Sequence, residues 1–109
     1  MKQFLSLFLA LIMAFSVVAF AMAEGITTIE SGKLTISTSP DFPPFEYTDD
    51  NDNIIGIEPE IMTLICDQIG LELVIDAMDF DSALLAAQQG KSDAVVSGVT
   101  VTEDRKLVF

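Results

Sequence analysis

The sequence has no histidine, no tryptophan and a single cysteine among its 109 residues. Without an imidazole or a second thiol, the chain cannot assemble the usual zinc ligand sets, or a serine or cysteine triad that relies on histidine as the base. Cys66 has no partner for a disulfide within the chain, and its apolar neighbours predict a buried helix position. Hydrolytic catalysis is therefore disfavoured, and no metal or cofactor is expected.

Positive charge is also scarce, because five basic residues face seventeen acidic ones. A net charge of −12 repels nucleic acid and anionic membrane surfaces, so neither is an expected partner. The only arginine, Arg105, follows a short run of small and hydroxylic residues, 97–100. A guanidinium is shaped to bind a carboxylate with two parallel hydrogen bonds. Its partner is either a ligand or a neighbouring acid, Glu103 or Asp104.

The first residues carry one lysine and then an apolar run from Phe4 to Ala23, which ends in the small-x-small triplet Ala-Met-Ala. This pattern predicts a secretory signal peptide, residues 1–23, that is cleaved before Glu24. An uncleaved membrane anchor is the alternative, since about 20 apolar residues can span a bilayer. Cleavage would leave 86 residues with all seventeen acidic and four of the five basic residues, in the periplasm or outside the cell.

Hydrophobic periodicity in the rest of the chain alternates between the strand and the helix pattern. The order strand, helix, strand with short loops predicts an α/β fold with a mostly parallel sheet and right-handed crossovers. The predicted elements are a strand at 33–39, a helix from Pro59 to Ile69 ended by Gly70, a strand at 71–77, a helix from Asp81 or Ser82 to Gln89, a strand at 94–96 and a helix start at Thr102.

The segment between the first strand and the first helix is rich in turn residues. Three prolines within 40–44 exclude a helix and predict a stiff, extended loop. The acidic stretch 48–53 lacks the glycine and distal glutamate of an EF-hand, so we interpret it as a turn. The stretch 54–57 is then a short strand or a hairpin return.

In parallel sheets, ligands bind beyond the carboxyl ends of the strands. Three loops meet there and bring two aromatic rings, hydroxyl and backbone donors and a guanidinium, a set that suits a small amphipathic anion such as an amino acid. The aromatics could instead be core residues, and the small residues only a turn and a helix cap. The candidate residues are Phe42, Phe80, Ser97, Gly98, Thr100 and Arg105.

Four segments together resemble the polar amino acid binding proteins of bacterial ABC importers, the family 3 extracellular solute-binding proteins. The resemblance implies a periplasmic-binding-protein-like (type II) fold of two α/β lobes that close on the ligand. It implies that 24–33 is a lead-in, that 34–109 is the first part of lobe 1, and that the second lobe lies beyond this chain. The segments are "LTISTSPDFPPFEY", "GIEPEIMTLICDQIGLEL", "FDSALLAAQQGKSDAVVSGVTVT" and "EDRK".

The resemblance also implies roles for the candidate residues. Phe42 would stack on the ligand side chain and Phe80 would form the facing wall. Ser97, Gly98 and Thr100 would hydrogen-bond the ligand, and Arg105 would bind its α-carboxylate. Asp41 or Glu46 could select a cationic side chain, although loop carboxylates are usually solvated. Where the family commonly has Gly-Phe-Asp, this chain has Gly56, Ile57 and Glu58, so no ligand role is assigned to Glu58.

The implied function is the substrate-binding component of an ABC importer, a monomer that delivers an amino acid to a membrane permease. A single lobe is expected to bind its ligand weakly or not at all. One alternative is an exported enzyme of the same fold, similar to cyclohexadienyl dehydratase, which would need an acid or base such as Asp41, Glu46 or Glu58. Another alternative is the sensor module of a membrane receptor.

Overall fold

The structure is a computed structural model that describes residues 25–109, so the predicted signal peptide lies outside the described residues. None of the helices in this described part is long and apolar enough to cross a bilayer. The elements in chain order are β1 (Lys33–Thr38), β2 (Asp41–Phe42), β3 (Glu46–Thr48), β4 (Ile54–Ile55), α1 (Ile57–Ile69), β5 (Glu72–Ala77), α2 (Phe80–Gln88), β6 (Ala94–Val95) and a 3₁₀ helix (Arg105–Leu107).

A three-stranded parallel sheet forms the centre of the fold, in the order β5-β1-β6. β1 pairs with β5 along its whole length, from Lys33 opposite Glu72 to Thr38 opposite Ala77. Its other edge pairs with the short strand β6. The predicted α/β fold with a parallel sheet is therefore confirmed, and the three strands run with their carboxyl ends at the same edge.

Between β1 and α1 in the chain, three short strands form a second, antiparallel sheet of order β2-β3-β4. The sequence predicted a stiff loop here, but Pro40 precedes β2, and Pro43 and Pro44 occupy the bend between β2 and β3, where Phe45 N donates to Phe42 O at 2.9 Å. The acidic stretch that follows is a turn, as predicted. The Asp49 carboxylate closes it by accepting from the backbone N–H groups of Asn51 and Asn53 at 2.8 and 2.9 Å.

The two predicted full helices are present, with different starting residues, whereas the helix expected to start at Thr102 is a 3₁₀ turn that begins at Arg105. α1 begins at Ile57, two residues before Pro59, and ends at Gly70, whose φ of 73° is left-handed. The N-cap of α2 is Asp79, so the expectation of Asp81 or Ser82 was wrong. Asp79 accepts from both the backbone N–H and the hydroxyl of Ser82, and these hydrogen bonds lower the pKa of Asp79.

The core is small and partly polar. Its fully buried apolar side chains include Ile36 of β1, Cys66 of α1 and Ala83 of α2, so the predicted burial of Cys66 is confirmed. Ser37 beside them is also buried, and its hydroxyl hydrogen-bonds Ala83 O at 2.8 Å and the Ser92 hydroxyl at 3.0 Å. These bonds satisfy a polar group that would otherwise be costly to bury at the interface between α2 and the sheet.

Candidate functional site

The loops that follow β1, β5 and β6 leave the sheet side by side. Met78 N donates to Thr38 O at 2.9 Å, and Val96 N donates to Ser37 O at 3.0 Å, so the parallel register continues to the end of each strand. This edge is where open α/β sheets bind ligands. All seven sequence-predicted site residues lie on these loops or in the segments directly after them.

Phe42 is an exposed aromatic on the first loop. Its side chain is 51% exposed, and its ring stacks on that of Phe45 with centroids 5.0 Å apart. Gly98 lies close to the same ring, because a Cβ built at Gly98 would be 3.3 Å from Cδ1 and Cε1 of Phe42. Phe42 is therefore a surface aromatic, supported by Phe45 and Gly98, and available to stack on a small molecule.

Arg105 lies beside Phe80. Its Nη1 donates to Thr100 O at 2.8 Å, and its guanidinium carbon lies 5.6 Å from the centroid of the Phe80 ring, within cation–π range. Within residues 25–109 it forms no ion pair, and Lys106 pairs with Glu103 at 2.8 Å instead. Within the described residues, Arg105 therefore does not pair with Glu103 or Asp104, which was the alternative to a ligand.

Ser97 and Gly98 are each hydrogen-bonded to a glutamate carboxyl group. The buried Ser97 hydroxyl donates to Glu46 Oε1 at 3.0 Å and accepts from Ser39 N at 2.9 Å. Gly98 N donates to both oxygens of Glu58, at 3.0 and 3.2 Å. The Ser97 hydroxyl and the Gly98 N–H are therefore engaged within the protein, and their predicted contact with a ligand stays a prediction.

Sequence reasoning missed the supporting role of Glu46 and Glu58. Both make contacts with residues at least 40 positions away, which no local pattern reveals. No alternation indicated that Glu46 is buried, because burial in β3 falls steadily from buried Glu46 to exposed Thr48. Burial first, and then hydrogen bonding to Glu58, raises the pKa of Glu46 to about 7.

Asp41 lies on the surface next to Phe42. Its carboxylate accepts from the Ser39 hydroxyl at 3.2 Å and is otherwise exposed. It is placed where a carboxylate could meet the side chain of a ligand stacked on Phe42. Within residues 25–109, no group of three or more metal-ligating side chains is present.

A cavity of about 630 Å³ lies along the free edge of β6, and it does not include the two candidate aromatics. Thr100, Arg105, Val108 and Phe109 are among the residues that line it. We place the candidate site at the strand ends, because the aromatic ring, the backbone turn and the register of three strands converge there. The cavity has a mostly apolar wall, and its charged lining residues besides Arg105 are Asp93 and Lys106.

Several relatives of known activity are similar to this chain. The arginine-binding extracellular protein ArtP of Bacillus subtilis is 34% identical over 97% of the chain, and the arginine-binding periplasmic protein of Mannheimia haemolytica is 32% identical over 88%. The matches cover 41% and 37% of those proteins, so the chain spans about two fifths of their length.

Solved structures show the same likeness in three dimensions. The arginine-bound form of truncated ArgBP from T. maritima superposes with a TM-score of 0.67 and 41% identity, covering 70% of this chain and 36% of that one. The arginine-bound form of domain 1 of the same protein also gives 0.67 and 41%, covering 70% of this chain and 60% of that one. Since residues 34–109 match the family throughout, the chain belongs to the bacterial extracellular solute-binding proteins, family 3.

Proposed function

We propose that the chain supplies the ligand-binding edge of lobe 1 in the substrate-binding component of an ABC importer, and that its ligand is a cationic amino acid, arginine first. One observation carries the proposal: the only arginine in a strongly acidic chain has no acidic partner within residues 25–109. Thr100 O and the Phe80 ring hold it in place, which leaves the rest of the guanidinium to bind the ligand carboxylate.

The cationic preference is supported by charge and by the named relatives. The exposed ring of Phe42 and the carboxylate of Asp41 together suit a flat, positively charged side chain. The two curated relatives described above are named as arginine-binding proteins. An ancestral arginine-binding protein that is 35% identical has been solved with glutamine, so a neutral polar amino acid is the natural competitor in a binding test.

A location outside the cytoplasm and a membrane permease as partner belong to the same proposal. The two named relatives are described as an extracellular and a periplasmic binding protein, which supports a binding function over an enzymatic one. The dehydratase alternative needs a carboxyl group free to move protons in the cleft. Glu46 is buried and bonded to Ser97, and Glu58 is bonded to Gly98, which leaves only Asp41 exposed.

Calorimetric titration of the full chain with arginine, lysine, histidine and glutamine tests the proposal. The sequence left open whether a single lobe binds at all; because a relative's domain 1 has been solved with arginine bound, we now expect measurable binding by this chain, weaker than that of a two-lobed protein. Arg105→Lys keeps the charge but loses the two-point contact, and the affinity for arginine should fall at least about thirtyfold.

Lys106→Met is the matched control, because Lys106 is a neighbouring cation that already pairs with Glu103. It should leave arginine affinity within about threefold, since an exposed ion pair contributes little. Normal arginine binding by Arg105→Lys would exclude Arg105 as the carboxylate ligand. Failure of every amino acid to bind, with the chain shown to be folded, would refute the proposed function.

A further inference from the structure

Glu46 is a carboxyl group buried on β3 with only 1% of its surface exposed. Its Oε1 accepts the hydrogen bond from the Ser97 hydroxyl at 3.0 Å. Its Oε2 is also buried, and no donor among residues 25–109 reaches it. An ionised carboxylate with one oxygen buried and unpaired is costly, so this oxygen requires a physical explanation.

Glu58, in the first turn of α1, provides that explanation. Both oxygens of its carboxylate accept from Gly98 N, at 3.0 and 3.2 Å. The Glu46 and Glu58 carboxyls bind the adjacent residues Ser97 and Gly98 and so lie at the same turn, and Glu58 is the second cause, after burial, of the raised pKa of Glu46. Two ionised carboxylates in such contact would repel each other, whereas a single proton on Glu46 Oε2 turns the repulsion into a charge-assisted hydrogen bond.

We infer that Glu46 carries a proton and donates it to Glu58, and that this carboxyl pair positions the Ser97–Gly98 turn. Each member holds one residue of the turn, Glu46 through the Ser97 hydroxyl and Glu58 through the Gly98 N–H. Glu46 and Glu58 are thus positioning residues. They set the position of the segment after the turn, which carries Thr100 and Arg105. Their part in ligand binding rests on the proposed function, whereas the shared proton does not.

The surroundings of Glu46 favour its protonated form. Burial comes first and the hydrogen bond to Glu58 second in raising its pKa to about 7, and the charges of Glu58 and Asp41 act in the same direction. Only the Ser97 hydroxyl opposes them. The ionisable groups that face it are therefore Glu58 from α1 and Asp41 from β2, and no cation within residues 25–109 forms an ion pair with it.

The raised pKa fixes the direction of the pH dependence. The folded state binds the Glu46 proton more tightly than the unfolded chain, in which an ordinary glutamate has a pKa of 4.5. The stabilisation is therefore present at low pH and is lost as the pH rises from about 4.5 to about 7, by up to about tenfold per pH unit in the folding equilibrium constant. Above that range the two carboxylates repel and the turn loosens, so ligand affinity should also decrease.

The experiment is a carboxyl ¹³C NMR titration of the full chain, with the amide signal of Gly98 followed in parallel. The expected result is one glutamate with a midpoint near pH 7 and a Gly98 amide that shifts with the same midpoint. Glu46→Gln imitates the protonated acid, because its amide can donate to Glu58 while its oxygen accepts from Ser97. It should remove both transitions while the chain stays folded.

Two further variants separate the shared proton from a merely structural contact. Glu58→Gln removes the neighbouring charge but keeps an acceptor for Gly98, so the midpoint of Glu46 should fall by more than one pH unit. Glu60→Gln, an exposed position on the same helix, should leave the midpoint unchanged. A Glu46 midpoint below pH 5 in the wild-type chain, or one unaffected by Glu58→Gln, would overturn the inference. A titration near pH 7 without amino acid binding would instead refute only the proposed function.

Discussion

Asp93 ties three parts of the chain together. Its Oδ1 accepts from Ile29 N and its Oδ2 from Thr35 N, both at 2.8 Å, while its own N–H donates to Thr35 O at 2.8 Å. One side chain therefore holds the lead-in segment and β1 against the start of β6. This contact anchors the strand that presents Ser97 and Gly98.

Asp93→Ala removes both side-chain acceptors. The part-buried Thr35 N–H is left without a partner, whereas the exposed Ile29 N–H can bind water, so the free energy of unfolding should fall by about 1 to 3 kcal/mol. Urea denaturation measures the loss. Asp50→Ala, which changes an exposed carboxylate in the turn after β3, is the control and should change stability by less than about 0.5 kcal/mol. Equal stability of the two variants would show that the Asp93 bonds contribute nothing.

The residues of the candidate site divide into those that a sequence can indicate and those that it cannot. Arg105 and Phe42 are indicated, because a lone guanidinium in an acidic chain and an aromatic in a proline-rich loop are unusual at the end of a strand. The pair Glu46 and Glu58 is not, because each holds a turn that lies 51 or 40 positions away along the chain. Such pairing is decided by tertiary packing, which no local rule contains.

At the scale of elements, backbone hydrogen bonds join the hairpin β2–β3 to the start of helix α1. The N–H groups of Ile57 and Glu58, which have no acceptor within the helix, donate to Pro44 O at 3.1 Å and Phe45 O at 2.9 Å. The close approach requires Gly56 between them, at φ 129°. A Cβ at Gly56 would lie 2.4 Å from Phe45 O, closer than any real contact.

Gly56→Ala should destabilise the protein by about 3 kcal/mol or more, because both the backbone conformation and the contact with Phe45 become strained. Gly70→Ala is the matched control at the other end of α1. Gly70 also has a positive φ, of 73°, but a Cβ there meets nothing within 4 Å, so it should cost only about 1 kcal/mol. Chemical denaturation of both variants checks the difference. Similar losses of unfolding free energy in the two variants would mean that close contact with the hairpin is not what requires glycine at position 56.

Element types follow well from the sequence where one period dominates. Alternation identified β1 and β5, and glycine after an apolar periodic run identified the end of α1 at Gly70. Boundaries were less certain at α2, because three possible caps lie within four residues and Asp79 alone has the extended φ and ψ and accepts from Ser82 N. The antiparallel sheet was predicted only in part: the short strand expected at 54–57 is β4, whereas the prolines around β2 concealed β2 and β3.

At the scale of the whole molecule, two opposing features decide whether copies of the chain associate. Ile57, Ile61, Leu64 and Ile65 form an apolar face on α1 that remains 42 to 66% exposed. This face is a candidate for self-association, since large exposed apolar patches on soluble proteins usually mark contacts. The net charge of −12 acts against association at neutral pH. The two effects respond to different conditions, and this difference allows them to be separated.

We expect the chain to be monomeric at neutral pH and low salt, and to associate as the pH falls toward 4. Carboxylates are then protonated, the repulsion between copies weakens, and the apolar face of α1 is no longer opposed. Added salt at neutral pH should act in the same direction, because at about 0.1 M charges are screened beyond about 10 Å. Sedimentation velocity over a range of protein concentrations measures the mass in each condition.

Leu64→Glu tests whether α1 is the surface involved. It places a charge at the most exposed member of the face, 66% accessible, so association near pH 5 should weaken by at least about tenfold in concentration. Gln88→Glu adds the same charge to the exposed side of α2 and should associate like the unmodified chain. If both variants weakened association equally, the effect would be one of net charge alone. The apolar face of α1 would then be excluded as the contact surface. Charge repulsion alone would explain why the chain is monomeric at neutral pH.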